Sequence, residues 1–231
     1  MDSIIEVVRC FENSNIIHVD GVINPTNDIE IIELELIYAD LETVSKRRER
    51  LKKQLKADKS LIKEDLVLEK IEKALNEGKS ARSLELTEEE KDIIKSLSLL
   101  TLKPLMYVAN VDEETIQDIE KNENFKKVKQ YAESQNAKVI PICVKLEEEI
   151  SSIESEDERK EFLEMMGLDK SGLDKLIIAS YDILGLMSYL TVRRNRSKSM
   201  DYKKRDKSTK SGIKDTFRYR KRVYKSRNRI I

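Results

Sequence analysis

Hydrophobic and polar residues follow two patterns along this chain, and each predicts a different secondary structure. Short apolar, β-branched runs at 3–11 (SIIEVVRCF), 103–111 (KPLMYVANV) and 138–144 (KVIPICV) are typical of buried strands. Elsewhere, apolar residues recur every three or four positions, as in helices that bury one face. The alternation of strands and helices predicts an α/β fold with parallel strands, with the second run pairing between the first and the third.

The longest helical pattern lies between the first two predicted strands. Asn27 or Asp28 is placed to cap a helix of roughly 30 residues. Its apolar stripe consists of Leu34, Ile37, Leu41, Val44, Leu51 and Leu55, with Arg48 at the one polar place. A turn near 57–60 leads to a second helix with its own stripe, consisting of Leu61, Leu68, Ile71 and Leu75. Together they predict an antiparallel coiled-coil hairpin, inserted into the α/β layer.

Further helices are predicted after the hairpin. Thr87 and Glu90 have the spacing of a capping box, in which a hydroxyl and a carboxylate each bind a free amide at a helix start. Two more helical patterns cover about 146–166 and 172–187.

Composition limits the class of protein. Of the 231 residues, 38% are charged and 39% hydrophobic, with six Gly, three Pro and no Trp, which favours long solvated helices around a modest core. No apolar run approaches the roughly 20 residues that span a bilayer, and the N-terminus has no secretory-signal pattern. Cys10 and Cys143 are expected to stay reduced in the cytoplasm, and with a single histidine they do not predict a zinc site.

The net charge of zero conceals a division along the chain. Residues 193–231 contain 17 Lys and Arg against three Asp, whereas the remainder contains 27 basic and 41 acidic residues. Such a basic tail is usually a nucleic-acid-binding arm on an acidic domain, but here an accident of coding is the favoured explanation.

The candidate chemistry lies where two predicted strands end. In α/β proteins, ligands bind at the carboxyl ends of parallel strands. Asn110 ends the second strand, and its amide can both donate to and accept from a base edge; Glu113 can accept from an exocyclic amine. Backbone amides of Cys143, Val144 and Lys145, after the third strand, could reach the same base. An ordinary strand-ending turn is the alternative, and the residues alone favour it.

A phosphate-binding loop is not found. Such a loop needs glycines followed by Lys-Ser or Lys-Thr. The segment GLDKSG (167–172) has the glycine spacing but continues Leu173-Asp174, and it lies between two helices. It predicts a helix C-cap and turn.

Three segments resemble the YchF/Obg-like ATPases: VVRCFENSNIIHVDGVINPTNDIEIIELELIYADLETV, LTLKPLMYVANVDEE and EFLEMMGLDKSGLDKLIIASYDILGLMSYLTV. The resemblance spans about residues 3 to 192. It implies a P-loop G domain with an inserted helical hairpin and a following TGS domain. It also implies an ATP-preferring, magnesium-dependent nucleotide hydrolase that associates with ribosomes in the cytoplasm.

The resemblance assigns roles to individual residues. Asn110 and Glu113 correspond to the altered Asn-x-x-Glu base motif, Val111 to an apolar position near the adenine, and Cys143–Lys145 to the last base-contacting loop. His18 corresponds to a mobile-loop histidine proposed to replace a catalytic glutamine; composition alone predicts an ordinary loop or core residue there.

The departures from the family are as informative as the matches. The family's P-loop, magnesium-binding threonine and Asp-x-x-Gly switch precede the point where the resemblance begins, so Met1 is expected to be an internal start. The expected organisation is a partial G domain (1–28), the hairpin (29–86), the C-terminal part of the G domain (87–192) and the tail (193–231).

The tail is expected to be disordered because it has too few apolar residues for a core. With permissible codons, reading it one nucleotide later gives sequences that resemble the TGS domain: Glu-Glu-Thr-Glu-Val from residues 193–197, with similar results from 200–210 and 214–229. The sequence therefore predicts a frameshifted TGS region.

Two functions remain open at this stage. The first is a fragment of a YchF-type ATPase that keeps base recognition and is inactive alone; its complementation by a separate N-terminal fragment is a further option. The second is a non-enzymatic module, in which the basic hairpin segment 45–56 binds the ribosome, its rRNA or a partner protein. No membrane partner is expected.

Overall fold

The structure, a computed structural model, describes residues 2–12, 23–55, 58–193 and 196–203. The chain divides into two compact units, Met1–Lys175 and Leu176–Ile231. The candidate site belongs to the first.

The first unit is built around a three-stranded parallel sheet. Its strands are β1 (Ile4–Arg9), β2 (Leu105–Asn110) and β3 (Lys138–Ile142), in the order β1-β2-β3. The predicted pairing is thus confirmed, with Ile4 beside Leu105 and Met106 beside Lys138. β2 is buried along most of its length, as expected of a central strand. At β1, which lies at an edge of the described sheet, Ile5 and Val7 are exposed.

A long helical hairpin follows β1. Helix α1 (Pro25–Gln54) has 30 residues and begins at Asn24 with a proline in its first turn, slightly earlier than the predicted cap at Asn27 or Asp28. Helix α2 (Ile62–Asn76) returns antiparallel to it, since Arg47 contacts Glu64 whereas Ser45 contacts Glu72 further along. The predicted hairpin is confirmed.

The apolar stripe of α1 differs from the prediction at one end. Ile37, Val44 and Leu51 are buried against α2, whereas Leu34 is 44% exposed. Ser45 lies opposite Glu72, which is near the end of α2. Leu34 lies nearer the start of α1, at a level that α2 does not reach, and is therefore left exposed.

Polar contacts hold helix α1 of the hairpin against the turn that precedes β2. Asp40 is only 2% exposed, and its carboxylate accepts hydrogen bonds from the backbone amides of Leu100 and Thr101 and from the Thr101 hydroxyl. Helix α3 (Glu88–Ile94) precedes this turn, and its predicted capping box between Thr87 and Glu90 is confirmed.

After β2, the described residues form five more α-helices, the last of which extends into the second unit. They are α4 (Glu113–Gln117), α5 (Glu123–Ser134), α6 (Val144–Ser152), α7 (Glu156–Met165) and α8 (Gly172–Leu184). Helix α5 buries Phe125, Val128 and Ala132 against β1, β2 and α1. The predicted C-cap at Gly167 is confirmed: its φ is +69°, and the amide of Leu168 binds the carbonyl of Leu163.

Glu147 of α6 caps the start of α8. Its Oε1 accepts from the amide of Gly172 at 2.6 Å, and its Oε2 from the amide of Leu173 at 3.1 Å. A Cβ atom at Gly172 would lie 2.9 Å from Glu147 Oε1 and 3.0 Å from Ile142 Cγ2. A larger residue at this position would therefore require the Glu147 carboxylate and Ile142 to shift.

In the second unit, β4 (Leu186–Arg193) pairs antiparallel with β5 (Arg196–Lys203), with Leu186 beside Lys203. This differs from the disorder expected after residue 193. β4 contains β-favouring residues and offers free backbone groups, and a short connection allows the following residues to pair with them whatever their composition. Residues 204–231 lie outside the described part of the chain. No helix in the described residues is long and apolar enough to cross a membrane.

Candidate functional site

The three strands of the sheet end at one edge, where backbone hydrogen bonds hold the following residues together. Asn110, the last residue of β2, lies beside Ile142, the last of β3. The amide of Val111 donates to the Ile142 carbonyl at 2.9 Å, and the amide of Cys10 donates to the Asn110 carbonyl at 2.8 Å. The residues after β1, β2 and β3 therefore have fixed relative positions.

A cavity of about 610 Å³ opens at this edge. Six of the seven predicted site residues line it, namely Asn110, Val111, Glu113, Cys143, Val144 and Lys145. The structure thus brings together two segments that are separated by about thirty residues in the sequence. The volume lies in the range of pockets for small molecules, roughly 300–1,000 Å³.

Asn110 connects the two sides of this cavity. Its side-chain oxygen, Oδ1, accepts a hydrogen bond from the backbone amide of Val144 at 3.2 Å. The amide nitrogen, Nδ2, can donate to a ligand, and Oδ1 keeps a second lone pair beside the hydrogen bond from Val144. Val111, next along the chain, is 2% exposed and gives the cavity an apolar wall.

Glu113 is held at the start of helix α4. Asp112 caps this helix by accepting from the amide of Thr115 at 2.7 Å, which places Glu113 in the first turn. Its Oε1 lies 2.9 Å from Nζ of Lys145. Contact with the Glu113 carboxylate and its negative charge raise the pKa of Lys145, so the lysine is positively charged.

Cys143 lies at the start of α6 and is buried. Burial raises the pKa of its thiol, and although the backbone amides of Leu146 and Lys145 act against this, the net direction is upward. The thiol is therefore neutral at pH 7 and unsuited to act as a nucleophile. Cys143 therefore contributes to the cavity only as part of its wall.

The charge of the cavity is mainly negative. Glu12, Asp112, Glu114 and Glu148 line it together with Glu113, against Lys145. Such walls repel a polyanion but not an uncharged aromatic ring. The arrangement thus suits the base of a nucleotide better than its phosphates.

A second cavity, of about 560 Å³, adjoins the first and shares Glu12, Asp112 and Glu114 with it. It also contains Cys10, whose burial raises the pKa of its thiol to about 12. Within the described ranges, no group of three or more His, Cys, Asp or Glu side chains could hold a metal ion.

The sequence analysis did not identify every residue of this site, and one of its candidates cannot be placed. His18 lies outside the described residues, so its predicted role is untested. Phe11 and Glu12 line the cavity but were not predicted, although they directly follow β1 and the rule on strand ends applies to them equally. The ion pair of Glu113 and Lys145 has no signal in the sequence, because these residues lie in different helices.

Comparison with known proteins gives a consistent set of relatives. No family model matches the chain. It is 47% identical over 205 residues to the ribosome-binding ATPase YchF of Bacillus subtilis, covering 88% of this chain and 56% of that protein. It is 43% identical over 191 residues to the protein of the same name from Escherichia coli O157:H7, covering 82% and 52%.

A solved structure agrees with these relatives. The YchF GTPase of Schizosaccharomyces pombe matches with a TM-score of 0.78 at 32% identity, covering 93% of this chain and 58% of that one. The chain thus spans little more than half the length of the relatives that it matches.

Proposed function

Since the chain belongs to the YchF/Obg-like ATPase family over the region that it shares with these relatives, we propose that it forms the base-recognising part of a YchF-type, ribosome-associated ATPase of the cytoplasm. One observation carries this proposal. Asn110, Glu113 and the loop Cys143–Lys145 line a single cavity at the carboxyl ends of β2 and β3.

Each of these residues has a role in binding an adenine ring. Nδ2 of Asn110 donates to a ring nitrogen, because Oδ1 is engaged by Val144. Glu113 accepts from the exocyclic amine, and buried Val111 contacts the ring face. Val144, which is 49% exposed, covers the ring from the opposite segment.

The phosphates of ATP require groups that this site does not supply. The walls of the cavity are acidic, and the 231 residues contain no Gly-x-x-x-x-Gly-Lys-Ser/Thr sequence. Positioning and neutralising the phosphates provides most of the catalysis in phosphoryl transfer. We therefore assign the triphosphate, its Mg²⁺ and the hydrolytic step to another polypeptide segment, covalently attached or separate. His18 would act only when that segment holds a γ-phosphate.

The test compares the 231-residue chain alone with the chain mixed with an N-terminal YchF segment that carries the P-loop. Alone, the chain is expected to release no phosphate from ATP above the buffer blank. It should bind adenosine weakly, with a Kd on the order of 1 mM, because a ring and ribose offer few atoms for contact. The mixture should hydrolyse ATP. Sustained turnover by the chain alone, at a rate unchanged by further purification, would refute the proposal.

The hairpin supports a second candidate function, contact with rRNA. Within the predicted basic segment, Lys46, Arg47 and Arg48 pair with carboxylates of the hairpin itself. Arg50, Lys52, Lys53 and Lys59 are exposed and form no ion pair among the described residues. They lie together at the end of the hairpin away from the sheet, where they could bind phosphates.

Sedimentation with ribosomes tests this contact. Ribosome binding that survives deletion of residues 193–231 would assign it to the folded part of the chain. Replacing Arg50, Lys52 and Lys53 with glutamine should then weaken binding and reduce the slope of log K against log salt, by roughly 0.7–0.9 for each phosphate that is no longer bound. A matched control replaces Lys121, Lys126 and Lys129, which pair with neighbouring carboxylates. Equal effects of both triple variants would exclude a specific role of the hairpin.

A further inference from the structure

The ion pair between Glu113 and Lys145 joins the two helices that line the candidate base cavity. Glu113 begins α4, whereas Lys145 belongs to the first turn of α6. The distance from Nζ to Oε1 is 2.9 Å. One oxygen of the proposed base-reading carboxylate is therefore occupied by a cation of the same chain.

The occupied oxygen matters because base edges differ in their number of donors. Guanine presents two adjacent donors, N1–H and the N2 amine, which bind the two oxygens of a carboxylate at once. Adenine presents its N6 amine alone beside an acceptor. A carboxylate oxygen that faces a cation is a weaker acceptor for a further donor. Such a carboxylate can satisfy the adenine edge with its other oxygen, but it binds the two donors of the guanine edge less well unless the cation moves away.

Asn110, the other polar side chain proposed to bind the base, also has one of its groups engaged within the chain. Oδ1 of Asn110 accepts from Val144, so this side chain can donate to a ring nitrogen, which both purines possess. Asn110 therefore does not distinguish the two bases. Discrimination therefore depends on how well the two oxygens of Glu113 can accept at the same time.

We propose that Lys145 is a specificity-determining residue: by pairing with Glu113 it weakens one of that carboxylate's two oxygens as an acceptor and so disfavours guanine relative to adenine. This inference rests on the proposed base-binding function of the cavity. It adds a residue whose effect is exerted through its partner and not through direct recognition of the base.

The exposure of the pair determines how large the effect can be. The side chain of Lys145 is 71% exposed and that of Glu113 36% exposed. An ion pair in such contact with solvent is weak, so its loss is expected to change the ratio of guanine to adenine affinity by about two- to fivefold. The pair therefore adjusts the preference and does not impose an absolute one.

The experiment measures the Kd of AMP and of GMP for the 231-residue chain by NMR shift perturbation of backbone amides. Both ligands carry the same phosphate, so the ratio of the two Kd values reports on the base alone. Lys145→Met keeps the methylene groups of the side chain and removes its charge. It is expected to raise the affinity for GMP relative to AMP by about two- to fivefold.

Two further variants separate this mechanism from a general loss of structure. In the Glu113→Gln background, Lys145→Met should leave the ratio unchanged, because no carboxylate remains to be released. Lys129→Met breaks a comparable ion pair, with Glu120 at 2.8 Å and outside both cavities, and should also leave the ratio unchanged.

Ionic strength provides an independent measurement. Raising NaCl from about 0.05 to about 0.5 M screens the exposed pair and should move the ratio of the natural chain toward that of Lys145→Met. The variant's own ratio should not respond.

The possible failures are distinguishable. If both nucleotides bind but Lys145→Met leaves the ratio unchanged or lowers it, the specificity role is wrong while base binding stands. If neither nucleotide perturbs the amides around the cavity in any variant, base binding and the specificity role are both wrong.

Discussion

Asp40 is a buried carboxylate that holds the hairpin against the turn before β2. It accepts three hydrogen bonds, from two backbone amides and the hydroxyl of Thr101. Asp40→Ala would leave these donors without a partner in a site closed to water. We expect it to lower the free energy of unfolding by about 2–4 kcal/mol, measured by urea denaturation.

Glu35 provides the control for Asp40, because it is an exposed carboxylate on the same helix. Glu35→Ala is expected to change stability by less than about 0.5 kcal/mol. Similar losses for both variants would mean that the Asp40 contacts do not stabilise the hairpin base.

Glu6 gives the protein a pH-dependent stability. It lies on β1, and Oε2 is buried without a hydrogen-bond partner among the described residues. Burial raises its pKa to about 7, Glu33 and Asp28 of α1 contribute in the same direction, and Arg82 lowers it. Arg82 is itself paired with Glu33 at 2.8 Å, which in turn accepts a hydrogen bond from Tyr131. The carboxyl is thus more basic in the folded chain than in the unfolded one.

The direction of the effect follows from proton binding. Between the ordinary pKa of about 4.5 and the folded pKa of about 7, the folded state holds a proton that the unfolded state has lost, so stability falls as pH rises. The contribution is about 1–2 kcal/mol, after a reduction for partial exposure to solvent. Glu6→Gln should remove this decrease. Between pH 5 and 8, the free energy of unfolding of the variant, measured by urea titration, should therefore rise relative to that of the natural chain. Parallel pH profiles of the two chains would contradict the assignment.

Among the secondary-structure elements, the hairpin depends on one polar position in its apolar interface. Arg48 binds Asp65 and Glu72 of α2, and its side chain is 12% exposed. Arg48→Met would leave both carboxylates, each 22% exposed, without their cation. The expected loss is about 1–3 kcal/mol, measured by thermal unfolding followed by circular dichroism.

Lys46→Met is the matched control, since Lys46 and its partner Glu42 are both largely exposed. It should cost less than about 0.5 kcal/mol. Adding Asp65→Leu and Glu72→Leu to Arg48→Met should restore much of the loss, because the uncompensated charges are then removed together. Failure to recover would indicate that Arg48 acts mainly by packing.

At the scale of the whole molecule, the tail raises a question of coding. We propose that residues 193–231 are translated out of frame from a former TGS region. Sequencing the gene around codon 193 should then show the insertion or deletion of a nucleotide relative to intact relatives. An uninterrupted reading frame that aligns with theirs without such a change would exclude this origin.

The sequence predicted the elements of this molecule better than the contacts between them. The parallel order of the three strands and the cap at Thr87 followed from local patterns that the structure confirms. Asp40 and Glu6 could not be predicted, because a polar residue in an apolar pattern indicates exposure unless its partners are known. The partners of Asp40 lie about sixty residues away, in a turn whose position only the folded chain fixes.

The candidate site shows the same limit. The rule on strand ends is enough to locate Asn110 and Cys143 in the sequence, and both line the cavity. The pairing of Lys145 with Glu113 depends on side-chain geometry between two helices, which no spacing along the chain encodes.

The contact of Glu147 with Gly172 has an evolutionary consequence. As long as position 147 carries the carboxylate that caps α8, a side chain at position 172 forces that carboxylate and Ile142 to shift. Divergence at these positions should therefore be coupled: a lineage that shortens residues 147 and 142 can accept alanine or serine at 172, whereas the reverse order passes through an intermediate with a displaced cap.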